Sequence, residues 1–285
     1  MIQAISHRTV EEIMERHRSG SQLTTSDLLH LLSRSFAYPI MHLETLKGAD
    51  EYNKRPIIRE LYNILRANDE AEDGRYPIPE KIKALDDLHY IFSEVARRDS
   101  TENLDDLIDG RLREVTRRMA EGATNEQAKV FIEHFGKGIV LKEVQKFETP
   151  IREIFRNCAG HMAAGMKKAL EARQLYKMSD LTEYCDYVAG LVGEGLNNIV
   201  KETDKISKEI LKKENARIMG RALQITNIVK NIREDEIERS DYPDARTLFL
   251  PRELFKGITP NELFYSNEKN VKETRKAVFN ALYHE

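Results

Sequence analysis

Cysteine is scarce in this 285-residue chain: only Cys158 and Cys185 occur, too few for a disulfide framework and without metal-ligand spacing to any histidine. Both are expected as small buried residues in a reducing compartment. Long hydrophobic runs are missing too. No stretch approaches the roughly 20 apolar residues a helix needs to cross a bilayer, and the N-terminus, MIQAISHRTVEEIMERHRSG, has no secretory hydrophobic region. The expected location is cytoplasmic. Neither sign of charge dominates: 45 Lys and Arg face 48 Asp and Glu, the net charge is -3 and the pI is near 6.3, so the chain carries no electrostatic footprint for nucleic acid. No Pro/Gly/Ser linker, internal repeat or low-complexity tract divides it, so residues 1–285 are expected to form a single domain.

What the chain does have is helical periodicity, with few β-branched alternations and its 8 prolines at apparent junctions. The pattern predicts a helix from Arg55 to Glu72, stopped at Asp73-Gly74, and a long amphipathic helix from Asn215 to Glu238. Thr25-Ser26-Asp27 and Ser179-Asp180 are read as caps of two further helices. In LYNILRANDEAED, Leu61–Asp73, the residues Asp69, Glu72 and Asp73 stand at helical spacing and are expected on one face. Convergent carboxylates repel one another unless a cation sits among them, and oxygen ligands of this kind suit Mg²⁺ carrying a diphosphate. Asp105, Asp106 and Asp109 have the same shape, and in a chain that is 33% charged such spacing is common, so they are read as a solvated face.

Four segments in order resemble the squalene/phytoene synthase family of head-to-head prenyl transferases. Ser33-Arg34-Ser35-Phe36, in LLSRSFAYPI, is similar to the family's Ser-Arg-Ser-Phe element, and LYNILRANDEAED resembles its first acidic motif, including Tyr62 and Arg66. YCDYVAGLVGEGL, Tyr184–Leu196, looks like the Tyr-Cys-x-Tyr-Val-Ala-Gly-x-Val-Gly signature. MGRALQITNIVKNIRED, Met219–Asp235, resembles the second acidic helix with its lead-in at Gln224 and Asn227. The likeness covers about residues 24–97 and 145–257.

The resemblance implies an all-α, single-domain helical bundle of the isoprenoid synthase type around a central cavity, with the two acidic motifs on opposite walls. It implies Mg²⁺-dependent joining of two prenyl diphosphates, most simply farnesyl diphosphate to presqualene diphosphate or, with NADPH, squalene. Asp69, Glu72, Asp73, Asn231, Glu234 and Asp235 would hold the metal. Ser33, Arg34, Ser35, Phe36, Tyr62, Arg66, Val188, Gln224 and Asn227 would bind substrate, Arg34 and Arg66 through charge-assisted hydrogen bonds to phosphate oxygens. Tyr184 would assist the proton chemistry of cyclopropane closure. The prenyl diphosphate is the implied partner, and a lipid product would bring the protein to a membrane surface. The glycines of GLVGEG, Gly190–Gly195, are in the wrong order for a dinucleotide turn and are read as letting helix backbones approach or leaving room for a prenyl chain; Ala163, Ala164 and Gly165 are read as a helix-packing face, and His161 beside them as a core histidine.

Three departures from the family pattern stand out. Asn231 replaces an aspartate of the second motif, keeping a carbonyl ligand with one charge fewer. Asp186 stands where the family often has histidine or another aromatic, and must pair with a base or point away from a diphosphate. Only 50 residues follow Asp235, fewer than the closing helices of the family, which leaves open a dimer partner that completes the bundle, a fragment and a degenerate paralogue. A catalytically silent paralogue or fragment that binds prenyl diphosphate or a partner stays open as an alternative, as do a phytoene synthase and a class I terpene cyclase.

Overall fold

The structure, a computed structural model, describes residues 9–32, 54–99, 102–204, 212–241, 249–255, 257–259, 262–263, 266 and 268–284, without the side chains of 54–56, 204, 232–240 and 283–284. Among the described residues no β-strand occurs, and the expected all-α class is what is found. None of these helices is long and apolar enough to cross a membrane. The described residues within 1–74, 86–159 and 202–205 make one compact unit, and those within 75–85, 160–201 and 206–285 a second.

In the first unit, helix Val10–Arg18 opens on a reciprocal cap in which Glu12 N–H donates to Thr9 Oγ1 at 3.2 Å and Thr9 N–H to the Glu12 carboxylate at 2.6 Å. Helix Thr25–Leu32 starts one residue after its actual cap: Asp27 accepts from Thr24 N–H at 2.8 Å and donates its own N–H to Thr24 Oγ1 at 3.2 Å. This helix packs against helices Lys54–Asp73 and Glu126–Phe135, over a core that includes Leu28, Leu29, Leu61 and Phe131. Phe131 stacks on Phe135 at 5.9 Å, and Phe92 meets Phe135 edge-on at 6.4 Å.

The rotation of helix Lys54–Asp73 is fixed by buried polar bonds as well as apolar packing. Asn63 donates to the Thr25 carbonyl at 3.1 Å, and Asn68 donates to the Ala159 carbonyl at 2.9 Å. Either amide, turned elsewhere, would lose a bond in a site without water to replace it.

In the second unit, helix Met178–Cys185 runs through a π-helical turn, Asp186–Gly190, into helix Leu191–Asp204. Asp180 does cap this run, by reaching back to accept from the N–H groups of Tyr176 and Lys177, each at 3.0 Å. Helix Lys213–Asp241 packs on the π-turn, and helix Lys269–His284 packs on Lys213–Asp241. Cys158 and Cys185 are buried and free, as expected. His161 is exposed, contrary to the expectation of a core position, whereas its neighbours Ala163 and Gly165 are buried.

A buried histidine gives the first unit a pH dependence. His134 is 1% exposed, its Nε2 is 3.1 Å from His17 Nδ1, and Lys137 Nζ lies 3.3 Å from its Nδ1. Burial, then the positive charge of Lys137 and the proximity of His17, push it down to about 4, against a weaker pull from Asp27. A depressed pKa means that the unfolded chain takes up the proton first, so stability is lost as pH falls from the ordinary histidine range toward about 4. The loss from this group at pH 5 is about 2 kcal/mol. Urea unfolding at pH 7 and pH 5 should show this decrement in the native sequence and a much smaller one in His134→Gln; an unchanged decrement would assign the acid sensitivity to another group.

Candidate functional site

Helix Lys54–Asp73 is covered on nearly every side. From Ile57 onward, every residue is buried except Ile58, Arg59, Tyr62, Arg66, Asp69 and Asp73, which are half-buried. Tyr62, Arg66, Asp69 and Asp73 recur at helical period and form one stripe, so four residues singled out in the sequence occupy the part of the helix that remains open. Glu72 does not join them. It is 8% exposed, because the rotation set by Asn63 and Asn68 turns it inward, and the expectation of three carboxylates on one face becomes two.

Arg66 donates to Asp69 at 3.2 Å and, from its other terminal nitrogen, to the buried Glu70. Glu70 went unnoticed in the sequence, although its place four residues after an arginine was the available signal. Burial alone would lower the Arg66 pKa, but Glu70, Asp69 and Asp73 outweigh it and hold the guanidinium above its usual range. Tyr62 is pushed up to about 12, first by burial and then by Asp69 and Glu70, against Arg66. Asp69 is raised to about 7 by burial, with Asp73 and Glu70 adding to the rise and Arg66 opposing it.

The acidic look-alike behaves in the opposite way. Asp105 accepts from Lys142 at 3.0 Å, Asp106 from Arg98 at 2.8 Å, and Asp109 pairs with Arg113 at 2.9 Å. Those bonds lower the pKa values of Asp105 and Asp106. Each of these aspartates has its own cation in solvent, whereas Asp69 shares Arg66 with Glu70, an excess of carboxylates over the one guanidinium that joins them.

That excess is the fit test for Mg²⁺. Among the described residues no three His, Cys, Asp or Glu side chains stand close enough to hold an ion by themselves. Mg²⁺ commonly takes only one or two carboxylates, with waters and substrate phosphates completing its shell. Asp69 and Asp73, one turn apart on an open stripe and crowded by like charge, match that requirement.

In the second unit Tyr184 is 6% exposed and its ring stacks on Phe249 at 4.6 Å and 29°. Nothing in the sequence singled out Phe249 as a contact of Tyr184. The segment that carries Phe249 is anchored where Arg252 and Glu253 N–H donate to the Leu175 and Tyr176 carbonyls at 2.9 and 3.0 Å. Tyr184 also lines a cavity of about 190 Å³, together with Gly165, Ala169, Leu175, Tyr176 and Tyr187. Val188 is buried in the π-turn, a distortion often found at functional sites.

The small residues of the signature make a close crossing with helix Lys213–Asp241. A Cβ on Gly220 would collide with the Ala189 carbonyl oxygen and come within 3.0 Å of Gly190 Cα, and a Cβ on Gly193 would collide with the Ala216 carbonyl oxygen. Gly165 likewise leaves room for the Tyr187 ring, whose Cγ would be 2.9 Å from an added Cβ. Gly190 and Gly193 are therefore close-packing positions inside helical structure, the first of the two roles expected of them.

Along helix Lys213–Asp241, Gln224 and Asn231 are half-buried and Asn227 is exposed. Asn231 Nδ2 donates to Asn227 Oδ1 at 3.3 Å, as assigned, which turns the Asn231 carbonyl oxygen away from that bond. The helix continues through Glu234 and Asp235, whose side chains lie outside the description, as does the whole Ser33, Arg34, Ser35 and Phe36 motif. Asp186, which sequence left either paired or turned away, is paired: it accepts from Arg217 Nε at 3.1 Å and from a terminal guanidinium nitrogen.

The fold and these residue sets define an all-α protein of the isoprenoid synthase type. The squalene/phytoene synthase profile matches residues 51–283, and the chain belongs to that family. Squalene synthase ERG9 of Gibberella zeae is 29% identical over 234 residues, which are 80% of this chain and 42% of that protein. Inactive squalene synthase 2 of Arabidopsis thaliana is 30% identical over 270 residues, 90% of this chain and 55% of that one. The solved complex of TcSQS with the ligand E5700 aligns with a TM-score of 0.67 at 25% identity, covering 90% of this chain and 65% of its own. The chain thus spans about half the length of the curated relatives it matches.

The glycine crossing makes a direct prediction. Gly220→Ala forces a methyl group into a carbonyl and should cost about 1–3 kcal/mol, read as a fall of several degrees in melting temperature. Gly110→Ala, where an added Cβ meets nothing within 4 Å, should be neutral or slightly stabilising and serves as the control.

Proposed function

We propose that this chain performs the Mg²⁺-dependent head-to-head condensation of two prenyl diphosphates, farnesyl diphosphate being the substrate of first choice. The observation that carries the reading is the open stripe of helix Lys54–Asp73: an otherwise covered helix spends its one accessible strip on Tyr62, Arg66, Asp69 and Asp73. Apolar packing gains nothing from charged residues there, and burial, with Asp73 and Glu70 adding to it, raises the Asp69 pKa. Such an arrangement fits a cationic, phosphate-bearing ligand.

Bound Mg²⁺ would neutralise charge on the departing diphosphate, with Asp69 and Asp73 as its protein ligands. Arg66 would add charge-assisted hydrogen bonds to phosphate oxygens, while Glu70 keeps the guanidinium in place from its buried side. Tyr62, held neutral by its raised pKa, would donate its phenolic hydrogen toward the same oxygens. Tyr184, its ring fixed by the Phe249 stack, would hand its phenolic hydrogen to the released diphosphate as its oxygen takes the proton lost when the cyclopropane ring closes. Gln224, Asn227 and the carbonyl of Asn231 would serve as neutral oxygen donors. NADPH would be needed only for the reductive step to squalene, and no residue of the chain is assigned to it.

A second reading, a catalytically silent relative, is favoured by Asn231, whose amide engages Asn227 and supplies no charge, and by the likeness to a relative named inactive. Incubation with farnesyl diphosphate and Mg²⁺, with and without NADPH, separates the two when released diphosphate and extracted lipids are both measured by mass spectrometry. A C30 product supports condensation, a C15 hydrocarbon means cyclase chemistry, and no diphosphate release from folded protein supports the silent relative.

With turnover established, Asp69→Ala and Asp73→Ala should each lower Mg²⁺-dependent diphosphate release by about 100-fold or more while circular dichroism stays helical; undiminished release would sink the metal assignment. Asn231→Asp should lower the Mg²⁺ concentration needed for half-maximal rate by about threefold to tenfold. An identical Mg²⁺ titration would remove position 231 from the metal's surroundings.

A further inference from the structure

Asp186 opens the π-turn that follows Tyr184, and Arg217 lies one turn into helix Lys213–Asp241. The two are joined by both carboxylate oxygens: Arg217 Nε donates to Oδ1 at 3.1 Å and Nη2 donates to Oδ2. Their side chains are only 28% and 19% exposed. Glu194, one turn beyond Gly190 in helix Leu191–Asp204, extends the contact: its Oε2 is 3.8 Å from Arg217 Nη1, and its Oε1 is 2.7 Å from Lys213 Nζ. Two acids on the signature run therefore grip two bases, one turn apart, on the second acidic helix.

The pair is built into the helix crossing. The space left by the missing Gly190 side chain is filled by Asp186 Oδ1, with Asp186 Cγ at 3.2 Å and Arg221 Cγ at 3.3 Å from where a Cβ would stand. Beside it, Gly220 rests on the Ala189 carbonyl and Gly193 on that of Ala216. Glycine against backbone already fixes which face of each helix meets the other, because any neighbour of Gly220 in its place would strike the Ala189 carbonyl, but it leaves small rotations within that face loosely held. A bidentate guanidinium–carboxylate pair narrows them, because its planar fork closes in one geometry. Each residue covers about 100° of a helix, so a rotation by a fraction of that step is enough to re-aim Gln224, Asn227 and Asn231.

We propose that Asp186 and Arg217 form a positioning clamp that sets the fine rotation of helix Lys213–Asp241 against the helical run bearing Tyr184 and Val188. The clamp holds the Gln224, Asn227 and Asn231 side chains at a fixed angle to Tyr184, and Arg217 acts through Asp186 rather than on substrate. Its effect on turnover rests on the condensation reading; its effect on the helix does not.

The test is a double-substitution cycle, Arg217→Ala, Asp186→Ala and both together, with the exchanged pair Asp186→Arg/Arg217→Asp as the rescue and Asp186→Asn as a milder variant should the alanine form not fold. Amide hydrogen exchange across residues 218–231 reads the helix directly. Each single substitution should speed exchange there by about tenfold, the double should be no worse than either single, and the exchanged pair should recover most of the protection. In turnover, kcat should fall by about tenfold with little change in KM, because diphosphate binding is retained while the reacting groups lose alignment. Additive losses, or exchange that is unaffected in the single variants, would overturn the clamp. Loss of KM alone would do the same, since it would put Arg217 on the substrate. A native protein that makes no product defeats the condensation reading and leaves the exchange cycle to decide the clamp by itself.

Discussion

A helix that is covered on almost every side has only one strip on which charge can face outward, and the functional reading of this protein depends on that constraint. In helix Lys54–Asp73 the burial of Leu61, Ile64, Leu65, Asn68 and Ala71 leaves Tyr62, Arg66, Asp69 and Asp73 on the remaining strip. Asp105, Asp106 and Asp109 by contrast stand in solvent, each beside a base. Asp69 is raised toward neutrality first by its burial and then by Asp73 and Glu70, against Arg66. Stability and function pull in opposite directions at such a place.

The second unit solves a different problem, that of bringing two helices close enough for short side chains to work together while keeping their relative rotation defined. Glycines at 190, 193 and 220 permit the approach, since a methyl group at 193 or 220 would strike backbone and one at 190 would strike the Asp186 carboxylate. The glycines fix which faces meet. The finer rotation comes from the Asp186–Arg217 pair, which is partly shielded from water and so holds its geometry better than a fully exposed pair, with Glu194 and Lys213 extending it toward solvent. The Asp186 carboxylate, in the middle of the signature, is thereby neutralised by a base on the next helix.

The all-helical class, the limits of the two acidic helices and the candidate stripe at Tyr62, Arg66, Asp69 and Asp73 were legible from periodicity and motif alone, because helical spacing is a local property of the chain. The cap residues were read correctly in type and about one residue out in place at Thr24. Local spacing gave no warning that Glu72 turns inward. Residues 69, 72 and 73 span more than a quarter of the helix circumference, and which part of that arc is open depends on the bonds Asn63 and Asn68 make to distant carbonyls.

The sequence by itself determined the elements and the kinds of chemistry available on them: carboxylates at one-turn spacing, a tyrosine heading a glycine-rich signature, an asparagine where an aspartate was expected. Tertiary structure decided which of those groups are open, which are neutralised and which are paired. Arg217 and Asp186 are 31 residues apart, as Phe249 and Tyr184 are brought together from separate segments, and no periodic rule reaches across such separations. The sign of the Asp69 shift, too, arises only once burial and three neighbouring charges act on the same carboxyl group. Covalent order fixes spacing along a helix, but rotation about its axis, and with it the environment of every side chain, is settled by what packs against it.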